Sequence, residues 1–287
     1  MPQRHSLPQF PPQIFIIGSA LTQYIGAAIA VMLFTRIDAP HVAWWRLVIA
    51  GIVLLAWRRP WRDGLTKRDL AISALFGLIL ATMNVSFYSA ISYIPMGTVV
   101  SVEFIGPVTV AVLRGRGWIP RIAALLALLG VSSIGGLGLN LTRTDDQLGV
   151  AWTLLAALAW GSYIVLGQKI AQNRSGITNL ALGCASGAVI YAPILGPGAL
   201  AALSHSDVMV ALLGVALLST VVPYSLEALA MRKLSAATFA LFTALLPASS
   251  ALVGAIMLAQ IPGIWEIIGL VLVSIAVWLA TRYGNKE

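Results

Sequence analysis

Charge is scarce in this chain: Asp, Glu, Lys and Arg make up 10% of 287 residues, against 59% hydrophobic ones. A soluble domain needs a wetted polar shell around its core, so this balance excludes an ordinary globular protein. Mean hydropathy is +0.90, which suits a bilayer as solvent. Cysteine is nearly absent. The single Cys184 lies in an apolar run, so no intrachain disulfide can form, and a small buried hydrophobe is its reading. Three histidines, His5, His41 and His205, fall on a tail or at external loop positions and offer no metal constellation. The sequence lacks His-Glu-x-x-His, Gly-x-Ser-x-Gly and a Walker A loop, so ATP-driven pumping and metalloprotease chemistry want their parts. Neither an enzyme nor a cofactor is expected.

What is present in quantity is long apolar runs. Crossing the hydrocarbon takes about 20 apolar residues, and windows of that length predict ten spans. They cover residues 13 to 34, 41 to 57, 69 to 91, 96 to 113, 119 to 139, 148 to 169, 177 to 196, 208 to 231, 235 to 259 and 263 to 281. The first lacks a short apolar core with a small-residue cleavage site and is expected to stay as a membrane helix. A net charge of +8 would suggest nucleic acid in a soluble protein, but here the basic residues sit in short loops and set orientation instead. With the N-terminus in the cytoplasm, fifteen of the eighteen Lys and Arg residues fall inside, leaving Arg36 and Arg143 outside and Arg46 within a span. Both termini are therefore expected to be cytoplasmic. Tryptophans near span ends, Trp44, Trp45, Trp57, Trp61 and Trp118, are read as an interfacial aromatic belt.

The two halves resemble each other. Gly77 to Ile91 aligns with Gly214 to Ala228, the segment from Pro95 through Pro107 with that from Ser235 through Pro247, and Leu129-Gly130 with Ile268-Gly269. Residues 1 to 140 and 148 to 287 are thus read as two five-helix repeats joined by Asn140 to Gln147. An odd number of spans per unit inverts the second copy, the arrangement that underlies alternating access. The expected fold class is an all-α polytopic membrane protein of ten helices in two inverted repeats.

Two carboxylates inside spans are the strongest functional signal. An ionisable group at a helix centre costs at least about 2.5 kcal/mol on insertion scales, so it is kept where it lines a polar pathway. Glu103 lies in Ser101-Val-Glu-Phe-Ile-Gly-Pro107, where a carboxyl can alternate between a proton and a cationic ammonium; a protonated carboxyl hydrogen-bonded between helices is the plainer alternative. Pro107 removes the helical donor to the Glu103 carbonyl. Glu227, four residues after Pro223, lies nearer the inner end, where snorkelling or pairing with Arg232 is equally open. Arg46 is the basic group inside a span; its fork of donors suits a carboxylate, while pairing with Glu103 or reaching headgroups also fits. Asn84 and Tyr88 share a face of the third span, Thr98 and Ser101 a face of the fourth. Gln23, Tyr24 and Tyr163 join them as polar residues that either line a cavity or glue helices together. Gly26 with Ala30, and Gly183 with Gly187, read as close-packing positions.

The ten-span layout, Leu158-Ala-Trp-Gly-Ser-Tyr163 and the Pro107 and Pro247 helices resemble the EamA-type branch of the drug/metabolite transporter superfamily. Ser101 to Pro107, Leu218 to Ala228 and the Arg46-Leu47 pair are most similar to its bacterial threonine/homoserine exporter group. The resemblance implies an inner-membrane carrier exporting small amino acids, driven by the proton gradient, with a cavity lined by spans one to four and six to nine. Its partners would be the amino acid, protons and membrane lipid, as a monomer or homodimer and without nucleic acid. The first span departs from the superfamily pattern, having Gln23-Tyr24-Ile25-Gly26 in place of Trp-Gly. Efflux of aromatic or cationic drug-like metabolites is the alternative within transport.

Overall fold

Backbone polar groups in hydrocarbon must be satisfied within their own segment, so a chain this apolar is driven to helices. A computed structural model describes residues 12–114, 118–138, 142–170, 176–231 and 246–283, and every regular element among them is helical. In order these are α1 (Pro12–Leu33), α2 (Ala39–Arg58), α3 (Lys67–Ile91), α4 (Met96–Glu103), α5 (Ile105–Arg114) and α6 (Trp118–Gly138). There follow α7 (Thr144–Ile170), α8 (Gly176–Ala199), α9 (Ser206–Ala216), α10 (Val222–Met231), α11 (Leu246–Leu258) and α12 (Ile264–Tyr283). Among the described residues, six stretches are long and apolar enough to cross a membrane: Ile14–Leu33, Ala39–Arg58, Lys67–Ile91, Thr144–Gly167, Gly176–Ser204 and Ser206–Leu226. Shorter apolar helices occupy Met96–Val110, Arg121–Gly130, Leu246–Leu258 and Ile264–Ala276. The protein is an all-helical, multi-pass membrane protein.

Local chemistry sets the ends and breaks. Thr66 caps α3: its Oγ1 accepts from Asp69 N at 3.1 Å while Asp69 Oδ2 accepts from Thr66 N at 3.0 Å. The fourth predicted span is not one helix. It breaks at Phe104 between α4 and α5, because Pro107 has no N–H for the Glu103 carbonyl and its ring crowds that position. The eighth is interrupted by a π turn over Leu217–Val221, immediately before Pro223.

In lipid, helices associate through close packing rather than through hydrophobic exclusion of water. Accordingly α2 lies on α8, α3 on α7 and α8, α1 on α9, α10 and α11, α4 on α7 and α11, α5 on α7, and α6 on α12. Glycine brings backbones together at these seams. A Cβ on Gly187 would stand 2.6 Å from the Gly77 carbonyl oxygen, one on Gly26 2.8 Å from Ser219 N, and one on Gly130 2.8 Å from the Gly269 oxygen. Large apolar side chains such as Leu113, Ile194 and Ile256 face outward, while Arg46, Asn84 and Glu103 are buried. Trp57, Trp61 and Trp118 are exposed as an aromatic belt requires, but Trp44 and Trp45 are not. Their indole nitrogens donate across to the carbonyls of Ala188 (2.9 Å) and Ala199 (2.8 Å) on α8. Both therefore tie α2 to α8, since a buried indole N–H needs an acceptor.

Candidate functional site

Arg46 is the centre of the polar interior. It points from α2 to the π turn between α9 and α10, and only 5% of its surface is exposed. Pro223 explains the direction. In a regular helix residue 223 would donate to the carbonyl four residues back, that of Ser219, and proline has no N–H to give. Arg46 Nη2 supplies the missing hydrogen bond at 2.6 Å, and Nε donates to Thr220 Oγ1 at 2.6 Å. A third nitrogen, Nη1, lies 3.4 Å from the Tyr88 hydroxyl, and the guanidinium carbon sits 5.4 Å from the centre of that ring. The Ser219 hydroxyl donates to Val215 O at 2.5 Å, so the Tyr88 hydroxyl is the donor in its 3.4 Å contact with Ser219 Oγ. A chain of hydrogen bonds thus runs from the guanidinium through Tyr88 and Ser219 to the α9 backbone.

Glu103 ends α4 at the helix break and is 7% exposed. Pairing with Arg46 was open on sequence grounds; the structure does not form it. No nitrogen of Arg46 comes within 4.0 Å of the carboxylate. Among the described residues, no side chain donates a hydrogen bond to Glu103. Reaching the headgroups, the other reading of Arg46, is excluded by its burial and its partners on α9–α10.

Tyr88 is fully buried against Arg46, and Asn84 lies one turn away with its amide nitrogen donating to Leu80 O at 2.7 Å. Tyr163 is half-buried on α7 and stacks on Phe76 with ring centres 4.9 Å apart. It packs against the cluster that holds Leu47, Leu80 and Cys184. Gln23 is half-buried on α1, and its side chain makes no hydrogen bond to a described residue. The Glu227 side chain and the Arg232 proposed to pair with it lie outside what is described. Thr98 and Ser101 are not bonded to this network: Thr98 Oγ1 donates to Glu266 Oε1 at 3.2 Å, and Ser101 Oγ donates back to Gly97 O of its own helix at 2.7 Å.

Sequence reasoning passed over Ser219 and Thr220 as individual residues, although both stand in the quoted Leu218 to Ala228 segment. The signal was Pro223, read for its kink rather than for the carbonyl it leaves open. Glu266 was also missed, because its place in the first turn of α12 looks like an ordinary helix start. Among the described residues, no group of His, Cys, Asp and Glu could hold a metal ion. What the interior offers is a fixed guanidinium and a separate carboxyl, chemistry suited to binding a small molecule of both charges.

A profile described as the EamA-like transporter family matches residues 147–282. The threonine/homoserine exporter RhtA of Salmonella typhimurium (strain LT2) is 34% identical over 254 residues, covering 88% of this chain and 85% of that protein. RhtA of Escherichia coli (strain K12) has the same identity and coverage. A solved crystal structure superposes with a TM-score of 0.59 at 16% identity, over 94% of this chain and 96% of that one, and so shares the fold. Those relatives are named as exporters and the matching profile as a transporter's, which sets enzymatic activity aside. Taken with the all-helical bundle and its buried charges, the match over most of its length shows that this chain belongs to the EamA-like transporter family.

Proposed function

We propose that the protein exports small hydrophilic amino acids of the threonine or homoserine kind across the inner (plasma) membrane by proton antiport. The observation that carries this reading is that Arg46 and Glu103 are both buried in the helical interior and form no ion pair with each other. A guanidinium and a carboxyl buried in one interior, kept apart rather than neutralised, complement the carboxylate and ammonium of a zwitterion. A carrier of plain cations needs no guanidinium to meet its substrate. The Glu103 carboxyl alternates between the substrate ammonium and a proton, and that competition couples the two fluxes. Asn84, Tyr88, Tyr163, Gln23 and Glu227 complete the cavity wall. The relatives named as threonine/homoserine exporters support the same substrate class.

The proposed architecture is ten spans in two inverted five-helix repeats, 1–140 and 148–287, with both termini cytoplasmic. Helix packing supports it. Numbering the spans in order, the second meets the seventh and the fifth meets the tenth, while the third meets the sixth as the first meets the eighth. The fourth meets the sixth as the first meets the ninth, so exchanging the halves leaves this contact pattern unchanged. The family profile, too, begins at residue 147, beside the expected join.

The test is efflux of labelled threonine from preloaded vesicles containing only this protein. Acidifying the outside is expected to accelerate efflux, and Glu103→Gln to reduce it by at least about a hundredfold, the scale of losing an essential proton-transfer group. Undiminished efflux in Glu103→Gln would remove the carboxyl from the mechanism.

A further inference from the structure

Arg46 is held tightly on one edge and only loosely on another. Its Nε and Nη2 form the side-on fork of the guanidinium, and both engage the π turn at 2.6 Å, on Thr220 Oγ1 and Ser219 O. The remaining Nη1 has only the long 3.4 Å approach to Tyr88. Thr220 is 3% exposed and Ser219 fully buried, so water does not compete for the engaged edge. The grip falls on the π turn. Val222 N reaches back five residues to Leu217 O, Pro223 offers no donor, and the Ser219 carbonyl is left for a side chain from α2. Gly26 lets α1 press directly on Ser219, where any side chain would displace the turn.

We infer that Thr220 is a positioning residue for substrate recognition: with the Ser219 carbonyl that Pro223 leaves open, it fixes the Arg46 side-on fork so that the Nη1 edge receives the substrate carboxylate. This rests on the amino-acid export reading above and adds to it the residue that sets the carboxylate requirement. Thr220 does not touch the substrate; it acts through Arg46. The hydroxyl is essential and the methyl is not. A guanidinium freed from the π turn still carries its charge but loses the fixed orientation that aims Nη1 at the carboxylate.

Two measurements test this, one independent of transport. In vesicles, Thr220→Val is expected to raise the KM for threonine about tenfold, the scale of one charge-assisted hydrogen bond, with a smaller change in maximal rate. Thr220→Ser is expected to restore the wild-type KM. Equal impairment in both variants, or an unchanged KM in Thr220→Val, would overturn the inference. If wild-type vesicles carry no threonine, the export reading falls, and the anchoring is judged by thermal unfolding of purified protein. There, Arg46→Gln combined with Thr220→Val is expected to lower the melting temperature no further than Arg46→Gln alone, because both remove one interaction. Additive losses would show that Thr220 does not hold Arg46.

Discussion

Arg46 cannot be exchanged for lysine without loss, because three of its nitrogens face three different groups: Thr220 Oγ1, Ser219 O and Tyr88 Oη. A lysine ammonium is a point charge on a flexible stem and cannot hold the planar fork. Arg46→Lys is expected to keep the buried charge yet cut threonine efflux at low substrate by at least about tenfold, read as KM in vesicles. Arg46→Ala leaves a buried carbonyl and hydroxyl without their donor, at about 1–3 kcal/mol each. Its melting temperature in detergent is expected to fall further than that of Arg46→Lys. Neighbouring Trp44 and Trp45 obey the same rule at their indole nitrogens, which is why a pair resembling a lipid-facing belt is buried on α8 instead.

Among elements, the interrupted helices carry the chemistry. Pro107 and Pro223 each remove one backbone donor, and the two consequences differ. At Pro107 the chain breaks into α4 and α5, leaving Glu103 at a helix end, whereas at Pro223 a π turn forms and a side chain fills the gap. The uninterrupted helices are held by close approach. Gly187 on α8 admits the Gly77 carbonyl of α3, and even a methyl there would stand 2.6 Å from that oxygen. Overpacking of this kind costs about 1–3 kcal/mol or more. Gly187→Val is expected to lower the melting temperature and the yield of monodisperse protein. Gly214→Ala, at a position with open space around it, serves as the control that leaves both unchanged.

For the whole molecule, the telling feature is where the halves are tied. On the face that the proposed topology makes external, Arg36 pairs with Asp207, Gln260 Oε1 accepts from Met96 N at 3.1 Å, and Thr98 donates to Glu266. Each links the first half to the second. Alternating access requires such ties to break as the outer side opens. Thr98→Cys with Glu266→Cys, in a Cys184→Ala background, is expected to stop efflux when bridged by a short cleavable thiol reagent. Cleaving the bridge is expected to restore it, whereas continued efflux in the bridged protein would mean that this seam does not move. Reporter fusions at the two termini should both read cytoplasmic, in keeping with the inner-loop bias of Lys and Arg.

Much of this was legible beforehand, because a bilayer imposes one-dimensional rules. Apolar run length, loop charge and the rarity of intramembrane charge are properties of the chain read in order, and they gave the helical class, the membrane setting and the choice of Glu103 and Arg46. The sequence also carried the cause of both helix interruptions, in Pro107 and Pro223. It could not tell which donor would answer an open carbonyl, because that donor comes from residue 46 to residue 219, across the two halves of the molecule. Nor could it decide whether Arg46 and Glu103 neutralise each other, whether Trp44 and Trp45 meet lipid or α8, or that Thr98 looks toward Glu266. Those are matters of which helix faces lie together. Only tertiary packing decided them, since one helix pattern is compatible with many neighbours and each buried polar group accepts whichever partner the packing delivers.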